Sequence, residues 1–114
     1  MNTREASQTL VVLTTLADAA GARALVRALV ESRLAACGTV IPGAVSTYWW
    51  DGAVAEEAEV LVLLKTRRER WAALRDALVS AHPYDVPEVL ALPVTAGHEP
   101  YLDWIARQTE EDAA

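Results

Sequence analysis

His82 stands directly before Pro83, with Tyr84, Asp85 and Glu88 close behind. An imidazole near carboxylates fits two chemistries. It can hold a borderline metal ion such as copper, or act as a general base that a neighbouring acid positions. The same residue also suits a helix C-terminus, where the last carbonyls favour a cationic ring. One such histidine is too few to close a zinc site within the chain, so a metal would need ligands from neighbouring copies. His98 falls in a later turn and is expected to be exposed.

Lys65 is the single lysine, and it follows the apolar run Val60 to Leu64. Part burial would lower its proton affinity and make it a base or nucleophile, or let it hold a small anionic ligand. At a strand end it would instead pair with a carboxylate such as Glu88. Cys37, the only cysteine, offers a thiolate for Cu(I), but the favoured reading is a small buried hydrophobe between helix and strand. Glu56, Glu57 and Glu59 suit weak, exchangeable binding of hard cations. A solvated, edge-protecting face is the favoured reading for that run.

No phosphate loop of the Walker type, G-x-S-x-G elbow or H-E-x-x-H helix is present, so catalysis is not expected. Sixteen acidic and ten basic residues leave a net charge of −6, which argues against a nucleic-acid backbone as partner. One cysteine excludes an intrachain disulfide and fits a reducing compartment. No apolar run approaches the ~20 residues that span a bilayer, and the N-terminus lacks a signal-peptide pattern. A cytoplasmic protein without a membrane partner is the expectation.

These residues must be positioned by one domain spanning 1–114, because the length supports a single core, with an ordered part from about residue 9 to about 109. Leu10 to Leu16 reads as a strand buried on both faces. Asp18 caps a helix whose apolar face is Ala22, Leu25, Val26, Leu29 and Val30. Thr39 to Trp50 reads as a long strand bent at Pro42-Gly43. Asp51-Gly52 predicts a type I′ hairpin, with a return strand through Glu59 to Lys65. Thr66 to Glu69 fits a capping box for a helix bearing Trp71, Leu74 and Leu78 and stopped by Pro83. Val89 to Val94 is a short or edge strand, and Pro100 starts a last helix with Tyr101, Trp104 and Ile105. The order is β-α-β-β-α-β plus a terminal helix. This predicts an α+β fold, the ferredoxin-like split βαβ arrangement. The overhanging hairpin leaves open strand edges, and 53% apolar residues exceed what so small a core hides, so self-association is expected.

Several fragments occur in a set order: Leu34-Ala35-Ala36-Cys37, Ile41-Pro42-Gly43, Tyr48-Trp49-Trp50-Asp51-Gly52, Lys65-Thr66, His82-Pro83-Tyr84, Pro87-Glu88 and Leu92-Pro93-Val94. With Tyr101 and Trp104 they resemble the CutA divalent-cation-tolerance family, from about Leu10 to Ile105. The resemblance implies a ferredoxin-like subunit, a tight homotrimer and a link to copper and other divalent metals. It implies no known reaction. It also places Tyr48, Trp50, Lys65, His82, Tyr84 and Glu88 in a cleft between subunits. Some members carry a cysteine at Thr14 and a second histidine at Ala81, which join the residue matching His82 as copper ligands. Here only His82 remains, so no tightly bound cofactor is expected and copper should bind weakly. Gly38-Thr39 replaces a common Val-Asn, and Ala55 stands where an acid is usual. The rival expectation is a trimeric sensor of a small anionic metabolite, similar in architecture to PII signalling proteins.

Overall fold

A computed structural model describes residues 8–111. The looseness expected of the two ends falls outside the described residues. The elements are β1 (Thr9–Leu16), α1 (Ala19–Glu31), β2 (Cys37–Trp50), β3 (Ala53–Arg67), α2 (Arg68–Ala81), β4 (Leu90–Pro93) and α3 (Glu99–Gln108). The strands form one antiparallel sheet in the order β2-β3-β1-β4, the split βαβ topology that the pattern predicts.

Local chemistry explains most boundaries. The Asp18 carboxylate accepts from the amides of Ala20 and Gly21 at 2.9 and 3.1 Å, satisfying donors that the first turn of α1 leaves free. Asp51 (φ 50°) and Gly52 (φ 79°) take the two positive angles of a type I′ turn. Gly43 (φ 87°) lies within a register shift between Ile41 and Ala44, which is the expected bulge. β4 is an edge strand, as its flanking prolines require, though it is shorter than the Val89 to Val94 run.

The capping box is the local expectation that fails. Thr66 is still in the ladder, opposite Leu10, so strand alternation turns its side chain into the core. There its hydroxyl donates to the Leu34 carbonyl at 2.8 Å. Arg67 occupies the N-cap of α2 without a side-chain cap, and Glu69 accepts from Arg67 instead of reaching back.

Alternation divides the sheet into two unlike faces. Val12, Leu16, Val60, Val62 and Leu64 point to one face and pack against Leu29 of α1 and Leu74 and Leu78 of α2. Thr14 joins this core with no solvent exposure, and its hydroxyl has no hydrogen-bond partner among the described residues. Burying an unpaired hydroxyl is costly, so Thr14→Val should raise stability by about 1 kcal/mol, read as a higher urea midpoint at unchanged slope. On the opposite face Cys37, Lys65, Val11 and Leu92 form one cross-strand row, and Thr39, Leu63, Leu13 and Leu90 form the next. α3 reaches this face at the Lys65 end, while Leu90 and Leu92 remain about half exposed. β1 pairs with β3 only from Val60 onward, so residues 53–59 and the end of β2 project as a free hairpin. At its tip Trp49 and Trp50 are 75% and 71% exposed. None of the helices formed by the described residues is long and apolar enough to cross a membrane.

Candidate functional site

The candidate residues fall into separate clusters along β3. At one end the Lys65 ammonium donates to the Tyr101 hydroxyl at 3.1 Å and lies 5.3 Å from that ring's centre. The same hydroxyl is 3.7 Å from Cys37 Sγ. Cys37 is half-buried and faces Lys65 across the β2-β3 ladder. Trp104 stacks on Tyr101, with ring centres 5.7 Å apart. The hydrogen bond to Tyr101 raises the lysine's proton affinity and outweighs the opposing effect of burial. The expectation of a lysine with lowered proton affinity is therefore corrected: Lys65 is held as the ammonium. Its expected pairing with Glu88 is corrected too. Glu88 is exposed and makes no hydrogen bond or ion pair with a described residue.

The second cluster surrounds His82, which α2 delivers as its C-cap; the residue is 7% exposed. The ring does not turn to the helix carbonyls. Nε2 lies 2.8 Å from the Thr15 carbonyl at the end of β1, and Nδ1 lies 3.2 Å from the backbone nitrogen of Tyr84. An amide can only donate to Nδ1, so Nε2 carries the proton and donates to Thr15. Both ring nitrogens are thus engaged, and the ring packs 4.7 Å from that of Tyr84. The Tyr84 phenol donates to Glu59 at 3.1 Å. Burial first, then the Glu59 hydrogen bond and the charges of Glu59, Tyr48 and Glu57, push the Tyr84 hydroxyl above the usual phenol range.

Glu59 and Lys65 are roughly 20 Å apart along an extended strand, and Trp50 at the hairpin tip is roughly 40 Å from Lys65. One chain therefore brings Tyr84 near Tyr48 and His82, but does not bring Lys65 or Trp50 to them. Glu56, Glu57 and Asp85 are exposed. Among the described residues, no group of three or more His, Cys, Asp or Glu side chains is placed to hold a metal ion. Tyr101 is the partner that sequence reasoning missed as a polar group. The pattern places it on the last helix with Trp104 and Ile105, and a tyrosine packed against a protein surface needs a partner for its hydroxyl.

Both raised groups bind protons more tightly in the folded chain than in the unfolded one. Their contribution is full below the ordinary lysine and tyrosine values and is lost as pH climbs through the raised ones. The melting temperature should therefore fall above about pH 10, and Lys65→Met and Tyr84→Phe should each flatten that fall. An unchanged alkaline limb in both variants would remove these contacts from the account.

The family described as "CutA1 divalent ion tolerance protein" matches residues 10–108. A "Divalent-cation tolerance protein CutA" from Thermus thermophilus is 44% identical over 99 residues, covering 87% of this chain and 96% of that one. "Protein CutA" from Homo sapiens is 48% identical over 89 residues, which are 78% of this chain and 50% of that protein. The solved structure of CutA1 from Oryza sativa superimposes with a TM-score of 0.89 at 37% identity, covering 95% of this chain and 99% of that one. A match of this extent leaves one assignment: the chain belongs to the CutA1 divalent ion tolerance family.

Proposed function

We propose that this chain works in divalent-cation tolerance as a cytoplasmic, non-enzymatic homotrimer whose clefts lie between subunits and which binds cations, copper included, weakly. The observation that carries this reading is the apolar surface left open by one copy. Leu90 and Leu92 face outward from the sheet, and Val45, Trp49, Trp50 and Val54 project from the hairpin, all at least 49% exposed. Patches of this kind mark contact surfaces. The sheet also leaves unlike open edges, among them the outer edge of β2 and that of β3 over residues 53–59. Pairing unlike edges head to tail closes a ring, and family membership favours a ring of three.

In such a ring, the hairpin overhang of one copy carries its Tyr48 and Trp50 toward a neighbour's Lys65, residues that one chain keeps apart. Weak cation binding is supported by the engagement of both His82 nitrogens, which leaves carboxylates such as Glu57 and Glu59 as the accessible donors. Light scattering at micromolar concentration should give three chain masses. A monomer or dimer mass would overturn the trimer and with it the inter-subunit cleft.

A further inference from the structure

Three of the ten basic side chains converge on the last turn of α3. Arg33 Nη1 donates to the Gln108 side chain at 3.0 Å. Arg67 donates through Nε to the Thr109 hydroxyl at 3.0 Å and through Nη2 to the Thr109 carbonyl at 3.1 Å. Arg70, from the first turn of α2, donates through Nε to that same carbonyl at 2.8 Å. Two guanidiniums from different elements are therefore fixed on one oxygen, with side chains only 19% and 11% exposed. Thr109 itself is fully buried.

The outward sides of these guanidiniums are served differently. Arg67 Nη1 meets one oxygen of Glu69 at 2.9 Å, and Arg70 Nη1 meets one oxygen of Glu111 at 3.2 Å. Both contacts are single, and the two glutamates are 73% and 85% exposed. Arg70 Nη2 has no partner among the described residues. A largely buried guanidinium normally takes a two-pronged carboxylate or phosphate partner, because its charge has lost most of its water. Here donors fixed on the Thr109 carbonyl face a cleft of about 490 Å³, lined by Arg67, Arg70, Glu69, Glu110 and Glu111, and meet only exposed glutamates there among the described residues.

We propose that this cleft is an anion site for a phosphate-type dianion, with Glu69 and Glu111 as replaceable counterions. A tetrahedral dianion can accept from Nη1 of both arginines and from Arg70 Nη2 at once, which neither glutamate does. Its two charges match the two guanidiniums, and the displaced carboxylates return to solvent, where they are already mostly hydrated. The ligand is free phosphate or the phosphoryl end of a small metabolite.

The test is a titration of the full-length protein with inorganic phosphate, and separately with a phosphate monoester. Backbone amide NMR shifts are followed, with chloride at matched ionic strength as control. Saturable shifts confined to the first turn of α2 and the end of α3 are expected. Phosphate saturating more tightly assigns free phosphate, and the monoester saturating more tightly assigns a metabolite. Glu69→Gln and Glu111→Gln remove competing charges at the surface and should each tighten binding by about two- to fivefold. Arg70→Lys should weaken it by about tenfold or more, because a lysine cannot supply the fork. If Arg70→Lys does not fold, the glutamate variants decide alone. Shifts no larger than those with chloride, or saturation unaffected by both glutamate variants, would overturn the site.

Discussion

Gly38→Val should destabilise the fold by about 3 kcal/mol or more, read as a large drop in the urea midpoint. A Cβ built on Gly38 lies 2.5 Å from Val26 Cγ1 and 2.8 Å from Leu64 Cδ2, closer than carbon atoms approach in folded proteins. Neither neighbour yields readily. Leu64 is fully buried, and Val26 is branched at Cβ and confined to one rotamer in its helix. The helix must move off the sheet, or one side chain must leave its rotamer. Replacing a strand glycine also relieves backbone entropy, but that gain is about 0.5–1 kcal/mol and does not offset the overlap. Gly38→Ala should already cost about 1–3 kcal/mol. Val26→Ala, which removes the nearest carbon, should recover part of the loss when combined with Gly38→Val. A neutral or stabilising Gly38→Val would show that α1 does not lie this close to β2.

A single sequence does not say what lies against Gly38, because a lone glycine in a strand pattern reads equally as a bulge or as a close approach. What was legible was chemistry that acts on the residue's own backbone. Asp18 caps α1 because its carboxylate reaches amides two and three residues ahead. Asp51-Gly52 and Pro42-Gly43 bend the chain because of the φ angles they accept or fix. Thr66 to Glu69 has the same local form, yet the capping box does not appear. The ladder with Leu10 carries β3 one residue further, and that pairing partner lies far away in sequence. Tertiary pairing overrode a local signal.

The candidate site shows the same division. Lys65 stood out because a charge at the end of an apolar strand must find a partner. Which partner depended on where α3 docks, and α3 docks on the side of the sheet that alternation alone leaves undefined. Glu88 was the nearer guess in sequence; Tyr101 is the partner in space. The arginines at Thr109 were invisible for a related reason. Arg33, Arg67 and Arg70 belong to three different segments and meet only because the fold closes. Residues such as Trp50 and Lys65 remain far apart in one chain, so no inspection of one copy unites them.

His82→Ala should cost about 2–4 kcal/mol, combining the cavity of a lost ring with two stranded backbone groups. The imidazole joins three segments: it ends α2, donates to the end of strand β1 through Thr15, and accepts from Tyr84 in the following loop. Removing it leaves the Thr15 carbonyl without that donor and frees the loop that carries Tyr84 to Glu59. The loss should appear in chemical denaturation as a lower midpoint. Tyr84→Phe keeps the ring contact with His82 and loses only the hydroxyl bond, so it should cost about 1 kcal/mol. The same geometry fixes the expected response to copper. A metal must take a ring nitrogen already in use, turning the Tyr84 amide toward a cation or displacing the Thr15 carbonyl. Copper prefers imidazole and thiolate donors gathered at one point, and Cys37 lies beside Lys65 at the other end of the sheet. Competition with a graded series of chelators should therefore show weak copper binding in the parent protein and weaker still in His82→Ala. Tight stoichiometric copper that survives the substitution would place the metal elsewhere and overturn the weakness as well. A His82→Ala protein as stable as the parent would show that the ring's two hydrogen bonds do not join these three segments.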